Sequence, residues 1–440
     1  MIRDRESLAE TPAHDLALSC VEEGIRAAQP DRVVAETVGV EDGVLRVGEG
    51  RYDLAEYDEI VLLGGGKAAD VVARALEDVL EDRLDRGLVV TSDPVETDAV
   101  EVIEGSHPVP DERAREGARE ILDQAREHDE RVLLLVPITG GGSALLPLPA
   151  GDVRLSDLQA ITEALVESGA AIEEINAVRK HLSAIKGGGL ARAAAPATVV
   201  GLVFSDVVGD DPGIVASGPT APDATTYEDA LDVLDHHDVD APTAVREHLE
   251  AGKSGEVAET PADELPHVRN HVLATAWTAI EAAREVVAGS DYEPLVLSSR
   301  IRGEATEAAL SQVAVAEECL ATGEPVEPPA VLLSGGEVTV TVLGNGDGGP
   351  NLEFALRAGI EATDDLVCSS VDTDGSDGGT DAAGAIVDGE TVDDPMAARR
   401  ALVENDAEPF LDARDALIET GATGTNVNDL RALVVGRPED

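Results

Sequence analysis

The chain is poor in cations, aromatics and sulfur. Only four lysines occur in its 440 residues, Lys67, Lys180, Lys186 and Lys253, and Lys plus Arg number 32 against 89 Asp plus Glu. The formal net charge is −57. Nucleic acid is met by basic patches, so this scarcity of positive charge argues against a nucleic-acid partner. High acid, little lysine and small apolar side chains describe a surface kept soluble in concentrated salt, where screening removes most of the self-repulsion. Phe, Tyr and Trp make up 2% of residues, yet 43% are hydrophobic. Cores can therefore form, and global disorder is not expected. The three cysteines, Cys20, Cys319 and Cys368, have no CxxC spacing. That pattern fits a reducing compartment without structural zinc. The start, "MIRDRESLAE", has no apolar h-region, and the longest apolar run, "VLLLVPI", is too short for a bilayer. No membrane partner and a cytoplasmic location are expected.

The apolar runs that are present are short, β-rich and closed by glycine or aspartate: "EIVLLGGGK", "GLVVTSD", "RVLLLVPITGGGS" and "ATVVGLVFSDVVGD". An amphipathic segment at 12–29 precedes them, and helical patterns at 67–82, 111–128, 156–171 and 230–250 separate them. Continuous apolar strands alternating with helices specify an α/β fold with a parallel or mostly parallel sheet, covered on both faces. The pattern lapses at 251–268, where a domain boundary is expected. Helical patterns follow at 271–288 and 303–321, with β-rich runs "EPLVLSSR", "PPAVLLSGGEVTVTV", "DLVCSSVDTDGSDGG" and "RALVVGRP".

In open α/β sheets, ligands gather at the carboxyl ends of strands. There this chain places its unusual residues. In "LLGGGKAAD", Gly64, Gly66 and Ala69 match G-x-G-x-x-A, the weak dinucleotide pattern. The amides of Gly64, Gly65 and Gly66 at a helix start are an expected anion cradle. Lys67, inside that turn, is an expected contact to a phosphate or a carboxylate. Val61 and Ala68 exclude a Walker A loop. "PITGGGSALL" offers a second cradle from Gly140, Gly141 and Gly142, with Ser143 as a donor. G-x-S-x-G is absent, so Ser143 reads as a binding residue and not as a nucleophile. "INAVRKHLSAIKGGGLA" gathers cations. Arg179 and Lys186 share a helix face there, as do Asn176 and Lys180. Such a patch attracts an anionic substrate or nucleotide phosphates; the alternative is an intramolecular salt-bridge helix. His181 reads as structural.

Carboxylates occupy three further turns: Asp206, Asp210 and Asp211 in "FSDVVGDD"; Glu337 after Ser334, Gly335 and Gly336 in "LLSGGEVTV"; and Asp372, Asp374 and Asp377 in "VDTDGSDGG". Mg²⁺ takes oxygen ligands and keeps several waters. Asp210, Asp211, Glu337, Asp372 and Asp377 are therefore candidate metal ligands, and Asp206 and Asp374 candidate catalytic carboxylates. Ser334, Gly335 and Gly336 join the candidate phosphate-binding residues. Asp381 is expected to cap a helix. Asp377 stands where an EF-hand loop requires glycine, and no His/Cys set suits zinc.

Together these stretches resemble a known family, the glycerate 2-kinases built from a MOFRL-associated domain and a C-terminal MOFRL domain. The resemblance rests on "GGGKAA", "TGGGSALL", "NAVRKHLSAIKGGGLA", "SDVVGDDPGIVASGPTAPD", "LSGGEVTV", "TDGSDGGTDAAGA" and "GATGTNVNDL", in family order from about residue 12 to 436. The acidity resembles a haloarchaeal member. The resemblance implies ATP-dependent phosphorylation of D-glycerate to 2-phosphoglycerate with Mg²⁺, by a monomer or homodimer. It implies a larger Rossmann-like domain at 12–255 with a mostly parallel sheet, and a smaller MOFRL-containing domain at 265–440 with a mixed sheet. The active site is expected in the cleft. Lys67 matches the family's active-site lysine. The chain departs from the family at "GGPNLEF". Pro350 stands where many bacterial relatives have an active-site arginine, and Leu352 where they have glutamine. Another cation then has to serve, and Arg300, Arg302, Arg179 and Lys186 are candidates. Phosphoryl transfer asks for phosphate-binding turns, carboxylates and a cation on the charge that spreads, all of which the chain offers. Two other readings stand beside it. One is an NAD(P)H-dependent hydroxypyruvate reductase, permitted by G-x-G-x-x-A. The other is a catalytically inactive sugar-acid or nucleotide-binding relative, favoured by Pro350.

Overall fold

Every side chain of the run Val132–Ile138 is buried, which a strand tolerates when both sheet faces are covered. In the computed structural model, which describes residues 1–263 and 265–436, it lies inside a six-stranded sheet. The order is Val100–Glu104, Arg86–Thr91, Glu59–Gly65, Val132–Ile138, Thr198–Phe204, Val268–Ala274. The first five pair in parallel, as the sequence pattern requires. Counted along the chain the order is 3-2-1-4-5-6, so the winding reverses between Glu59–Gly65 and Val132–Ile138. Helix Glu112–Ala125 shows how the faces are covered. Asp111 caps it by accepting the Ala114 N–H, and Ala114, Ala118, Ile121, Leu122 and Ala125 recur at helical spacing in the sheet core. A second cluster packs helices Leu155–Glu167, Ile172–His181, Tyr227–His236 and Thr243–Lys253 together.

These elements belong to one compact unit, Val33–Leu273. It differs from the sequence reading in three places. The pattern at 230–250 becomes two helices, because Asp238 turns left-handed at φ 51° and Pro242 precedes the second. A small antiparallel sheet, Val38–Glu41, Val44–Val47 and Gly50–Asp53, was not anticipated. Finally, Val268–Ala274, read as linker and helix, is a strand. Its polar Asn270 hid it, yet that residue fixes its place: Thr220 donates to Asn270 Oδ1 (2.6 Å), and Asn270 Nδ2 donates to Thr220 O (3.0 Å).

The other unit combines Met1–Arg32 with the chain from Ala274 onward. Its sheet runs Glu293–Glu304, Ala330–Thr339, Asp429–Val435, Leu366–Asp372, Gly384–Asp388, Leu417–Ile418. Only the first pair is parallel, so the sheet is mixed, as expected. The expected boundaries, 12–255 and 265–440, differ from this division, because helix Pro12–Ala27 groups with the C-terminal strands. Small residues make that possible. A Cβ on Gly24 would overlap Leu430 and stand 3.0 Å from Ala279 O, and Cys20 Sγ lies 3.8 Å from Ala283 O. Residues 437–440, the end of the expected second domain and of "RALVVGRP", lie outside the described residues. All three cysteines are free and buried. No described helix is long and apolar enough to cross a membrane.

Candidate functional site

Two loops leave the parallel sheet at its reversal point, the position where doubly wound sheets open a crevice for ligands. The first loop is closed. Gly64 and Gly65 are the last strand residues. A Cβ at Gly64 would overlap Pro137 O, and one at Gly66, with φ 140°, would overlap Thr139 Oγ1. Gly66 N–H donates to Val90 O (3.0 Å), Lys67 N–H to Gly140 O (2.8 Å), Ala68 N–H to Thr139 Oγ1 (3.1 Å) and Ala69 N–H to Gly66 O (3.2 Å). The expected cradle of Gly64, Gly65 and Gly66 is therefore not presented. Glycine here lets two strands and two loops touch. What the turn delivers is the Lys67 side chain.

The second loop meets it. Gly141 (φ 77°) donates its N–H to the Asp206 carboxylate, and Gly142 donates to Thr139 O (3.3 Å). A Cβ on Gly140 would overlap Asp206 Oδ2. One on Gly141 would stand 2.9 Å from Lys67 Cγ and 3.0 Å from His107 Cδ2. Lys67, His107 and Asp206 thus converge on one glycine turn. Burial pushes the Asp206 carboxyl above its ordinary value, while its own amide, the Lys67 ammonium and the Gly141 amide pull it back. A carboxyl so balanced is suited to accept a proton. Sequence reasoning missed His107. Its signal was "GSHPVP", just beyond strand Val100–Glu104.

Beside this turn lies a cavity of about 210 Å³, lined by His107, Gly141, Ser143, Pro147, Arg179 and Lys186 among others. Ser143 Oγ is 2.7 Å from Ser217 Oγ, and Ser217 donates to Asn176 Oδ1 (2.8 Å). This relay contains no base. Ser217 is held at φ 61°, a costly backbone region for a residue with a Cβ. Asn176 Nδ2 is buried and donates to no described residue. Lys186 Nζ donates to Ser143 O (2.9 Å) and Leu146 O (3.2 Å). Burial and then the neighbouring Arg179 push its ammonium down to about 7. Burial also lowers the Arg179 guanidinium, which makes no hydrogen bond or ion pair with any described residue. The cation segment is therefore divided. Lys180 pairs with Asp223 (3.2 Å), and His181 bridges Ala177 O (2.7 Å) and Glu259 (2.8 Å), so both are structural.

In the other unit, most of the candidate residues have structural partners. Asp377 accepts the N–H groups of Asn351 (3.0 Å) and Leu352 (2.8 Å), capping helix Pro350–Glu361. Burial raises its carboxyl to about 6. Asp381 caps nothing of the kind; strand Gly384–Asp388 follows it. Pro350 is the first residue of the capped helix, a position that suits its fixed φ and missing N–H. Asp372 accepts the Asp374 N–H (3.0 Å), and Asp374 accepts the Ser376 N–H (2.9 Å). Burial, then the charge of Asp374, hold the Asp372 carboxyl well above its usual range. Asn351 Nδ2 also donates to Asp429 Oδ1 (2.6 Å), and Asp429 pairs with the fully buried Arg431, 4.5 Å over the Phe354 ring. Sequence reasoning gave none of Asn351, Asp429 and Arg431 a role. Their signal was weak, since buried polar partners are recognisable only once paired.

Ser334 donates to Gln312 Oε1 (2.8 Å), and Gly335 and Gly336 lie inside strand Ala330–Thr339, where a Cβ on Gly336 would overlap Ile301. The contacts of these three residues serve the sheet. Glu337 is exposed on that strand, in register with Arg302; Arg300 and Arg302 are both exposed. Asp211 accepts the Gly213 N–H (2.8 Å), and Asp210 turns left-handed at φ 61°. Among the described residues, no group of three or more His, Cys, Asp or Glu side chains is placed to hold a metal ion. Within neither unit do Asp210, Asp211, Glu337, Asp372 and Asp377 form such a group.

Residues 16–250 match a domain of unknown function, DUF4147, and residues 330–429 match the MOFRL family. A protein of Pyrococcus horikoshii named glycerate 2-kinase is 40% identical over 434 residues, 96% of this chain and 97% of its own. An Agrobacterium vitis protein named putative hydroxypyruvate reductase is 39% identical over 86% of this chain and 87% of its own. The crystal structure of a glycerate kinase from Thermotoga maritima superposes with a TM-score of 0.84 at 37% identity, covering 96% of this chain and 99% of that one.

Proposed function

This chain belongs to the glycerate 2-kinase family and is a phosphotransferase acting on glycerate, and from that premise we propose that its donor is ATP, its metal Mg²⁺ and its product 2-phosphoglycerate. The observation that carries the site assignment is the convergence of Lys67 and Asp206 on the Gly140–Gly141 turn. Asp206 takes the proton of the acceptor hydroxyl as it attacks. Lys67 faces the negative charge that spreads over the transferring phosphoryl group. Ser143, held by Ser217, orients the acceptor beside them.

Among the described residues, the carboxylates do not build a protein cage for a cation. That donor set fits an ion carried by nucleotide phosphates with one or two carboxylates added, for which Asp372 and Asp374 are the nominees. When bound, Mg²⁺ neutralises phosphate oxygens. The closed turn at Gly64–Ala69 speaks against a dinucleotide, because its amides already face protein acceptors. Pro350 has a local reason as the first residue of its helix, so it does not by itself favour an inactive relative.

The test is ³¹P NMR of the product after incubation with ATP, Mg²⁺ and D-glycerate in concentrated KCl. A 2-phosphoglycerate resonance is expected. A 3-phosphoglycerate resonance would overturn the regiochemistry. Oxidation of NADH or NADPH by hydroxypyruvate, with no phosphorylated product, would overturn the kinase.

A further inference from the structure

In a chain with 89 acidic residues, two cations line one small cavity, and neither is paired with a carboxylate among the described residues. Arg179 has no hydrogen-bond or ion-pair partner among the described residues, and the buried Lys186 is held only by two carbonyls. A buried and a part-buried cation stand side by side with no counter-charge among the described residues, so the cavity is built for an anion. Asn176 Nδ2, buried behind Ser217 and Ser143, is a further donor with no partner among the described residues. The size of the space restricts which anion fits. About 210 Å³ is below the roughly 300–1,000 Å³ of sites that enclose drug-sized ligands. It suits a three-carbon acid and not a nucleotide. Pro108, Pro147 and Leu158 make its walls apolar.

We propose that this cavity holds the carboxylate of the acceptor, so that the acid enters carboxylate-first and Arg179 and Lys186 make a charged carboxylate a condition of binding. The inference rests on the kinase reading for the identity of the acid but not for the existence of the anion site. The acid's hydroxyl end then faces the Lys67, His107 and Asp206 turn, which shares Gly141 and His107 with the cavity. Neutral analogues of the same length, glycerol and glyceramide, lack the group that the two cations recognise.

The full chain in concentrated KCl supports a two-part test. In the first part, D-glycerate binding is measured by calorimetry without nucleotide, for the wild type and for Lys186→Met, Lys186→Arg and Arg179→Gln. The second part determines KM separately for acceptor and ATP. A lost charge-assisted contact should weaken D-glycerate binding and raise acceptor KM by roughly 10- to 100-fold, with ATP KM unchanged. Lys186→Arg should recover part of the loss, which a purely structural role would not predict. Arg179 is only part-buried, so its variant keeps the test valid if Lys186→Met does not fold. A raised ATP KM with unchanged acceptor KM would show that the cavity takes nucleotide phosphates and overturn the proposal. Turnover of glycerol as efficient as that of glycerate would overturn it too. If the wild type phosphorylates nothing but still binds D-glycerate in a Lys186-dependent way, the kinase reading fails and the carboxylate site stands.

Discussion

Asp206 is aimed by backbone. Gly140 leaves room for it, the Gly141 amide holds one oxygen, and Lys67 lies across the same turn. An isosteric change therefore separates chemistry from structure. Asp206→Asn is expected to lower kcat by roughly 10²- to 10⁴-fold, the scale of a lost general base, with an unchanged or raised melting temperature. Removing a half-buried carboxyl whose ionisation the fold disfavours does not cost the fold a charge it was reluctant to hold. A steady-state assay beside a thermal melt checks both halves, and wild-type kcat would remove Asp206 from the mechanism. Lys186 supplies a pH signature. With its ammonium at about 7, among Arg179, His107 and Lys67, it is increasingly neutral above that pH. An anion binds the protonated form, so acceptor KM should climb as pH rises from about 7 toward 9. In Lys186→Arg the rise should vanish. The stability sign runs the other way: the unfolded lysine binds its proton more tightly, so this group favours the folded state more as pH rises through that window.

At the scale of elements, the glycines after strand Glu59–Gly65 hold two strand ends together. Gly64→Ala would force a methyl into Pro137 O. A loss of about 1–3 kcal/mol is expected, read as a lower melting temperature, and an unchanged melt would mean that the strand ends separate readily. Asp377 is the corresponding device at helix Pro350–Glu361. Its carboxyl, raised to about 6, binds a proton more tightly folded than unfolded. That contribution to stability grows as pH falls from about 6 toward 4, and Asp377→Asn should flatten that part of a melting-temperature profile against pH. These two elements also show what the sequence could reveal. Strand positions and loop ends were legible because apolar runs and glycine punctuation are local properties. The meaning of the glycines was not, because an open cradle and a closed contact share one composition and differ only in what lies opposite. Lys67, Ser143, Arg179 and Lys186 stood out as scarce cations or turn residues. His107, Asn351 and Arg431 did not, since each takes its role from residues distant in sequence. Strand Val268–Ala274 was hidden for the same reason: its polar residues are answered by Thr220, which no local window contains.

For the molecule as a whole, 89 acidic residues against 32 basic ones make ionic strength a structural variable. Raising KCl from about 0.1 M to about 3 M shortens the screening length from roughly 10 Å to under 3 Å, so the melting temperature should rise steeply over that range. A flat or falling response would mean that the acidic surface is not under repulsive load.

Helix Pro12–Ala27 packs on helix Ala276–Ala288 and strand Asp429–Val435. During synthesis it leaves the ribosome well before its partners, which are made only after the whole of Val33–Leu273. Through that interval its apolar face, Leu18, Val21 and Ile25 among it, waits uncovered. The parallel-sheet unit can complete itself while the chain grows. The other unit is complete only once both of its segments are made, and a nascent chain interrupted before strand Asp429–Val435 would carry an orphan helix for chaperones or proteases to find.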